Sequence, residues 1–143
     1  MVSANFAGDF EPQGAMVVVA SKGTSAGITK GQVCSLSSNK WVTAATSATG
    51  PFAVALETRA TADTTIRVLL RGIVYLTADG TINPNASLVV SAATAGDVQA
   101  TATPFASGVL GKYLAKENEG DGVTEATAAA DGDVIRCDFG GPF

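Results

Sequence analysis

The chain has 143 residues, no histidine and a net charge of −4 from 9 basic and 13 acidic side chains. Only 15 % of its residues are charged, against about 25 % in an average soluble domain. Such a balance leaves no basic stripe for DNA or RNA, and without histidine there is neither the usual general base near neutral pH nor a histidine metal ligand.

Residues 1–15 read as an extended N-terminal arm. Gly8, Pro12 and Gly14 interrupt any regular element there, and Phe6 and Phe10 are the aromatics with which such an arm would dock. Acidic residues precede the first apolar run, which is not the pattern of a cleavable signal. No stretch reaches the roughly 18 apolar residues of a membrane helix, so a soluble protein without membrane contact is expected. Residues 16–143 read as a single β domain, long enough to bury about two-thirds of its unfolded surface.

Within that domain "AMVVVAS" (15–21) predicts a buried strand. "KGTSAGITKGQ" follows as a loop. It is not a phosphate loop, because Lys22 precedes Gly23, and Ile28 and Thr29 separate Gly27 from Lys30. "QVCSLSS" (32–38) and "NKWVTAAT" (39–46) predict two strands joined by a turn, with Trp41 placed for core or interface packing. "GPFAVALETR" starts at a turn and becomes a strand. "TIRVLLRGIVYL" predicts one long strand with Ile66, Val68 and Leu70 on one face and Thr65, Arg67, Leu69 and Arg71 on the other, Gly72 marking a bend or bulge. After the turn "ADGTINPNA", short strands follow in "SLVVSA", "DVQATAT" and "PFASGVLGKYLA". An acidic, glycine-containing loop leads to the closing "VIRCDFGG". Many short strands with turn-rich connections predict an all-β fold.

A pseudo-repeat runs through this pattern, covering 31–80 and 85–141, with an acidic loop insertion at 117–132. Ile66-Arg67-Val68 echoes Ile135-Arg136-Cys137, and Pro51-Phe52 echoes Pro104-Phe105. Each half reads as a β meander with one apolar face, and the two halves together form a compact β-barrel or β-sandwich. In this scheme Pro-Phe opens each middle strand, and Phe52 or Phe105 plugs one end of the core.

No catalytic set is legible. Cys34 and Cys137 lack a CxxC partner and a base; two buried free thiols are the expectation, with pairing left open. Glu117, Glu119, Asp121, Glu125, Asp131 and Asp133 fall in the glycine-rich loop, where no strand fixes their spacing. They read first as a solvated loop and second as a weak Ca²⁺ site. No enzyme activity, no catalytic residue, no cofactor and no metal are therefore expected. Arg67 and Arg71 share a strand face and suit a protein interface. The candidate partner contacts are Phe6, Phe10, Trp41, Arg67 and Arg71.

The segments "GITKGQVCSL", "WVTAATSATGPFAVALETRA", "IRVLLRGIVYL" and the closing "VIRCDFGG" resemble a small phage-encoded, head-associated family. Some of its members are labelled recombinase-like, and several are similar to capsid decoration, or cement, proteins of tailed phages. The resemblance covers roughly residues 14–142. It implies a β-barrel or β-sandwich that binds the major capsid protein on the outer surface of the virion head, self-associates as a homotrimer, and uses its N-terminal arm across capsid subunits. No residue supports the recombinase label, since neither a Walker loop nor a basic groove is present. A tail or fibre component is the alternative reading. A carbohydrate-binding domain using Trp41, Tyr75 and Tyr113, or a carboxylate-based hydrolase, is a further one.

Overall fold

The computed structural model describes residues 5–46, 48, 50–102, 108–116 and 127–140. These residues form strands and turns and no helix. The strands are β1 (Met16–Ser21), β2 (Val33–Ser37), β3 (Lys40–Thr43), β4 (Phe52–Ala55), β5 (Thr65–Thr77), β6 (Ser87–Val90), β7 (Val98–Thr101), β8 (Gly111–Lys116) and β9 (Val134–Phe139). Valine and isoleucine concentrate in them, and glycine, asparagine and proline in the connections, as pleated geometry favours. The β2–β3 hairpin turns through Ser38 and Asn39, both at positive φ, the backbone that matches the right-handed twist of the flanking strands.

Every strand-to-strand ladder is antiparallel, and one nine-stranded sheet runs in the order β3-β2-β4-β5-β9-β8-β6-β7, with β1 also paired to β5. The sheet curls into half-barrels, and its 13-residue strand β5 belongs to two units. Residues 65–71 pair with β1, and Val68 and Leu69 among them also pair with β4. Residues 72–77 pair with β9. The second stretch begins at Gly72 with φ 137°, where an added Cβ would come within 3.0 Å of the Ala15 Cα. Only glycine takes this conformation without strain, so the predicted bend is where the sequence places it.

The two units have the same topology. In the first, β1 pairs with the front of β5, which pairs with β4, then β2, then β3, and Lys22 bridges back to Trp41. In the second, the back of β5 pairs with β9, then β8, β6 and β7, and Ala78 bridges back to Val98. Register fixes the equivalences: Val18 faces Val68 as Val74 faces Cys137, and Ala20 faces Ile66 as Leu76 faces Ile135. Arg67, opposite Val19, thus corresponds to Arg136, opposite Tyr75. Ile66-Arg67-Val68 and Ile135-Arg136-Cys137 hold equivalent register positions, although the units include β1 and divide β5 at Gly72 and do not follow the 31–80 and 85–141 halves of the sequence reading.

Two expectations need correction. "AMVVVAS" is a strand but not a buried one: β1 lies at an edge, with Met16 49 % and Val19 73 % exposed. An apolar run alone did not reveal that only one side of the strand is paired. The second concerns Pro-Phe. Pro51-Phe52 does open β4, but β8 opens at Gly111. Ladder register pairs Cys34 with Ala53 as Leu88 pairs with Gly111, which makes Leu110 the counterpart of Phe52. Pro104 and Phe105 themselves, and most of the acidic loop, lie outside the described residues.

The interior divides into two clusters. Ile28, Cys34, Trp41, Ala53, Ala55, Ile66 and Val68 fill the first unit. The larger cluster fills the second unit with Val74, Leu76, Leu88, Tyr113 and Ile135, and also takes Val33, Val54, Leu56 and Leu69 from the first. Cys34 and Cys137 are buried free thiols in different clusters. Burial pushes the Cys34 thiol up to about 12 and raises that of Cys137 further, so neither is a thiolate near neutral pH.

Candidate attachment surface

The N-terminal segment lies on the domain. Gly8 N–H donates to the Tyr75 carbonyl at 2.8 Å, Tyr75 N–H to Asp9 O at 2.9 Å, and Glu11 N–H to Ile73 O at 2.9 Å. Residues 8–11 thus add a short antiparallel strand along the outer edge of residues 73–75, with Phe10 opposite Val74. Alternation follows from strand geometry: Phe10 turns inward onto the larger core cluster, while Asp9 and Glu11 face out. Arg136 donates from Nε and Nη2 to the Glu11 carboxylate at 2.9 and 3.0 Å. Lys30 Nζ meets Asp9 Oδ1 at 2.7 Å, and this bond, with the Phe6 N–H, holds the Asp9 carboxyl below its usual range. The strand "GDFE" is therefore held by backbone bonds, one inward aromatic and two outward carboxylates. Asp9, Glu11, Lys30 and Arg136 were not singled out as a set from the sequence. The signal was present in the acid–Phe–acid alternation and in Arg136 being the counterpart of Arg67.

The five sequence-derived contact residues separate. Trp41 is only 7 % exposed and belongs to the first unit's core. Phe10 is partly buried against the second. Phe6 is 69 % exposed, and Arg67 and Arg71 are exposed on the front of β5. The backbone N–H of Arg67 donates to Glu57, but neither guanidinium has an acidic partner among the described residues. Arg59, instead, takes Glu57 and Asp63. A groove of about 320 Å³ runs between the N-terminal segment and the first unit, with Asn5, Asp9 and Phe10 on one side and Lys30, Leu56 and Arg67 on the other.

Groups that could have carried chemistry are occupied otherwise. Lys22 is buried, its ammonium donating to the carbonyls of Gly23, Ala26, Thr61 and Asp63; it ties two loops together and faces no phosphate site. Buried Ser91 donates to Asp79 and accepts the N–H groups of Ala93 and Thr94, which makes it a turn brace. Asp97 lies near Asp79 and Asp131, and burial followed by these two charges raises its pKa. Among the described residues no cluster of three or more Cys, Asp or Glu is placed to hold a metal.

No protein-family model matches the chain, and no curated protein matches it significantly. Among solved structures, its fold is similar to the N base of the head fibre gp8.5 of bacteriophage phi29, with a TM-score of 0.61 and 15 % sequence identity over 87 % of this chain and 94 % of that one. At that identity the likeness is one of fold.

Proposed function

We propose that this protein is a structural component of a phage virion that attaches to the outside of the head. It acts there as a capsid decoration protein, contacting the major capsid protein as a homotrimer and bridging neighbouring shell subunits. The observation that carries this reading is the similarity of fold, over nearly the full length of both chains, to the base of a phage head fibre. The molecule's surface is consistent with it. Charged residues are sparse, Arg67 and Arg71 on one strand have no acidic partner among the described residues, and the exposed β1 edge presents Met16 and Val19. A ligand that recognises only the assembled lattice stabilises that lattice by mass action, and three rigidly linked copies multiply weak contacts. Function then comes from binding rather than catalysis.

A second reading has the neighbour's own name in its favour: the domain would be the base of a fibre rather than a stand-alone cement. Both readings require head attachment. Purified protein should co-sediment with undecorated heads, raise their resistance to heat or low salt, and appear at defined lattice positions by cryo-EM. Density on the tail, or no uptake by heads, would overturn both readings; a fibre continuing outward from the bound domain would favour the second.

A further inference from the structure

The repeat shows an asymmetry at its edges. In the second unit, the outer edge of residues 73–75 is covered by residues 8–11. The equivalent edge in the first unit is that of Val17 and Val19 on β1. Lys22 N–H donates to Thr64 O at 2.8 Å, so antiparallel alternation directs the backbone groups of Val18, Ala20 and Lys22 towards β5. Those of Val17 and Val19 point the other way, as does Gly23 N–H, which reaches Trp41 O at 2.9 Å. Beyond that bridge no described residue pairs with this side of β1. The edge carries neither lysine nor proline, two of the usual guards against strand addition.

We infer that the β1 edge is a docking site for an extended segment of a second protein that alternates carboxylate and apolar side chains. The molecule contains the template for such a strand. On the second unit the covering strand reads Asp9-Phe10-Glu11, and Arg136 reaches across one strand to grip Glu11. Its counterpart Arg67 stands opposite Val19, and Arg71 stands opposite Met16; both are exposed and without acidic partners among the described residues. An incoming carboxylate would complete at Arg67 the pair that Glu11 completes at Arg136. The incoming apolar residue, placed as Phe10 is over Val74, would lie over Val18, which is only partly buried against the first unit's core. Backbone bonds supply affinity in such strand addition, and the alternate side chains supply selection. The inference deepens the attachment reading and rests on it only for the partner's place in a virion.

The test uses the intact protein and a fluorescent peptide copying residues 5–13, NFAGDFEPQ, beside the charge-reversed NFAGKFKPQ. The acidic peptide should bind saturably and the basic one should not. Val19→Pro deletes an outward N–H, not a β5 bond, and should weaken binding at least about tenfold; Arg67→Gln should weaken it several-fold. In the unsubstituted protein, the Val17 and Val19 amides should exchange freely and become protected at saturating peptide, a readout independent of how the variants fold. Absence of saturable binding, or binding with those amides still unprotected, overturns the proposal. So does a self-associated species in sedimentation velocity that Val19→Pro dissolves while no peptide is taken up, which would put a second copy on this edge. Failure of head co-sedimentation with peptide binding intact would remove the virion reading and leave the docking edge standing.

Discussion

Lys22 illustrates how one side chain can read as a ligand group in sequence and serve as a structural tie. Glycine, threonine and lysine around it suggest a phosphate loop, and only the order of residues argues against one. In the fold its ammonium is enclosed by four carbonyl oxygens, the nearest that of Gly23 at 2.7 Å. Lys22→Met keeps the stem but leaves those carbonyls without a donor. Urea unfolding should show a loss of about 2–4 kcal/mol; a loss below about 0.5 kcal/mol would mean that the cage relaxes or hydrates at little cost. Asp97 provides a test of opposite sign. Its pKa is raised above 3.8 by burial first and by Asp79 and Asp131 second. The folded state therefore holds that proton more tightly than the unfolded chain, and the aspartate's contribution to stability falls as pH rises through the raised pKa. Asp97→Asn should melt at a higher temperature than the parent at pH 7, and the gap should close as the pH drops below the ordinary carboxylate value. A gap that persists unchanged at low pH would show that charge is not its cause.

At the scale of elements, β1 is an exposed edge and not the buried strand that its apolar run suggests. Glycine and proline make residues 1–15 read as an arm that docks through Phe6 and Phe10; residues 8–11 lie on β5 through three backbone bonds and Phe10, while Phe6 stays exposed. Composition cannot register such bonds, since they depend on an edge formed by residues far along the chain. "AMVVVAS", conversely, looked like core because apolar runs carry no information about how many neighbours a strand has. The bidentate Glu11–Arg136 pair is partly shielded and charge-assisted, with side-chain exposures of 41 % and 24 %, which places it above an ordinary surface pair. Arg136→Gln should loosen the segment without unfolding the domain. The Tyr75 amide, which donates to Asp9 O, should then exchange roughly five- to twentyfold faster, corresponding to about 1–2 kcal/mol. Amides of Val74 and Leu76, turned towards β9, should keep their protection. Equal acceleration at all three positions would mean that the pair stabilises the whole sheet rather than the segment.

For the molecule as a whole, the repeat was legible where side-chain identity survives and hidden where it does not. Ile66-Arg67 and Ile135-Arg136 were recognisable because both isoleucines face an interior and both arginines an exterior. The correspondence between β1 and the back of β5 was not, because "MVVVAS" and "GIVYLT" share pattern rather than residues, and because one unbroken strand conceals a boundary between units. That boundary bears on stability. Two similar half-barrels on a shared strand could unfold separately, but the larger core cluster draws Val33, Val54, Leu56 and Leu69 from the first unit as well as Val74, Leu88 and Ile135 from the second. Val33 N–H also donates across the junction to Gly96 O at 2.9 Å. Neither unit can lose its packing without exposing apolar surface of the other, so calorimetry should give one transition whose calorimetric and van't Hoff enthalpies agree. Ile66→Ala empties space in the smaller cluster and Ile135→Ala in the larger, each costing about 2–5 kcal/mol. Both should move that single transition downward as a whole. If Ile66→Ala instead produced a separate early transition, the first unit would be an autonomous folding element, and the shared core would not be what binds the two units together.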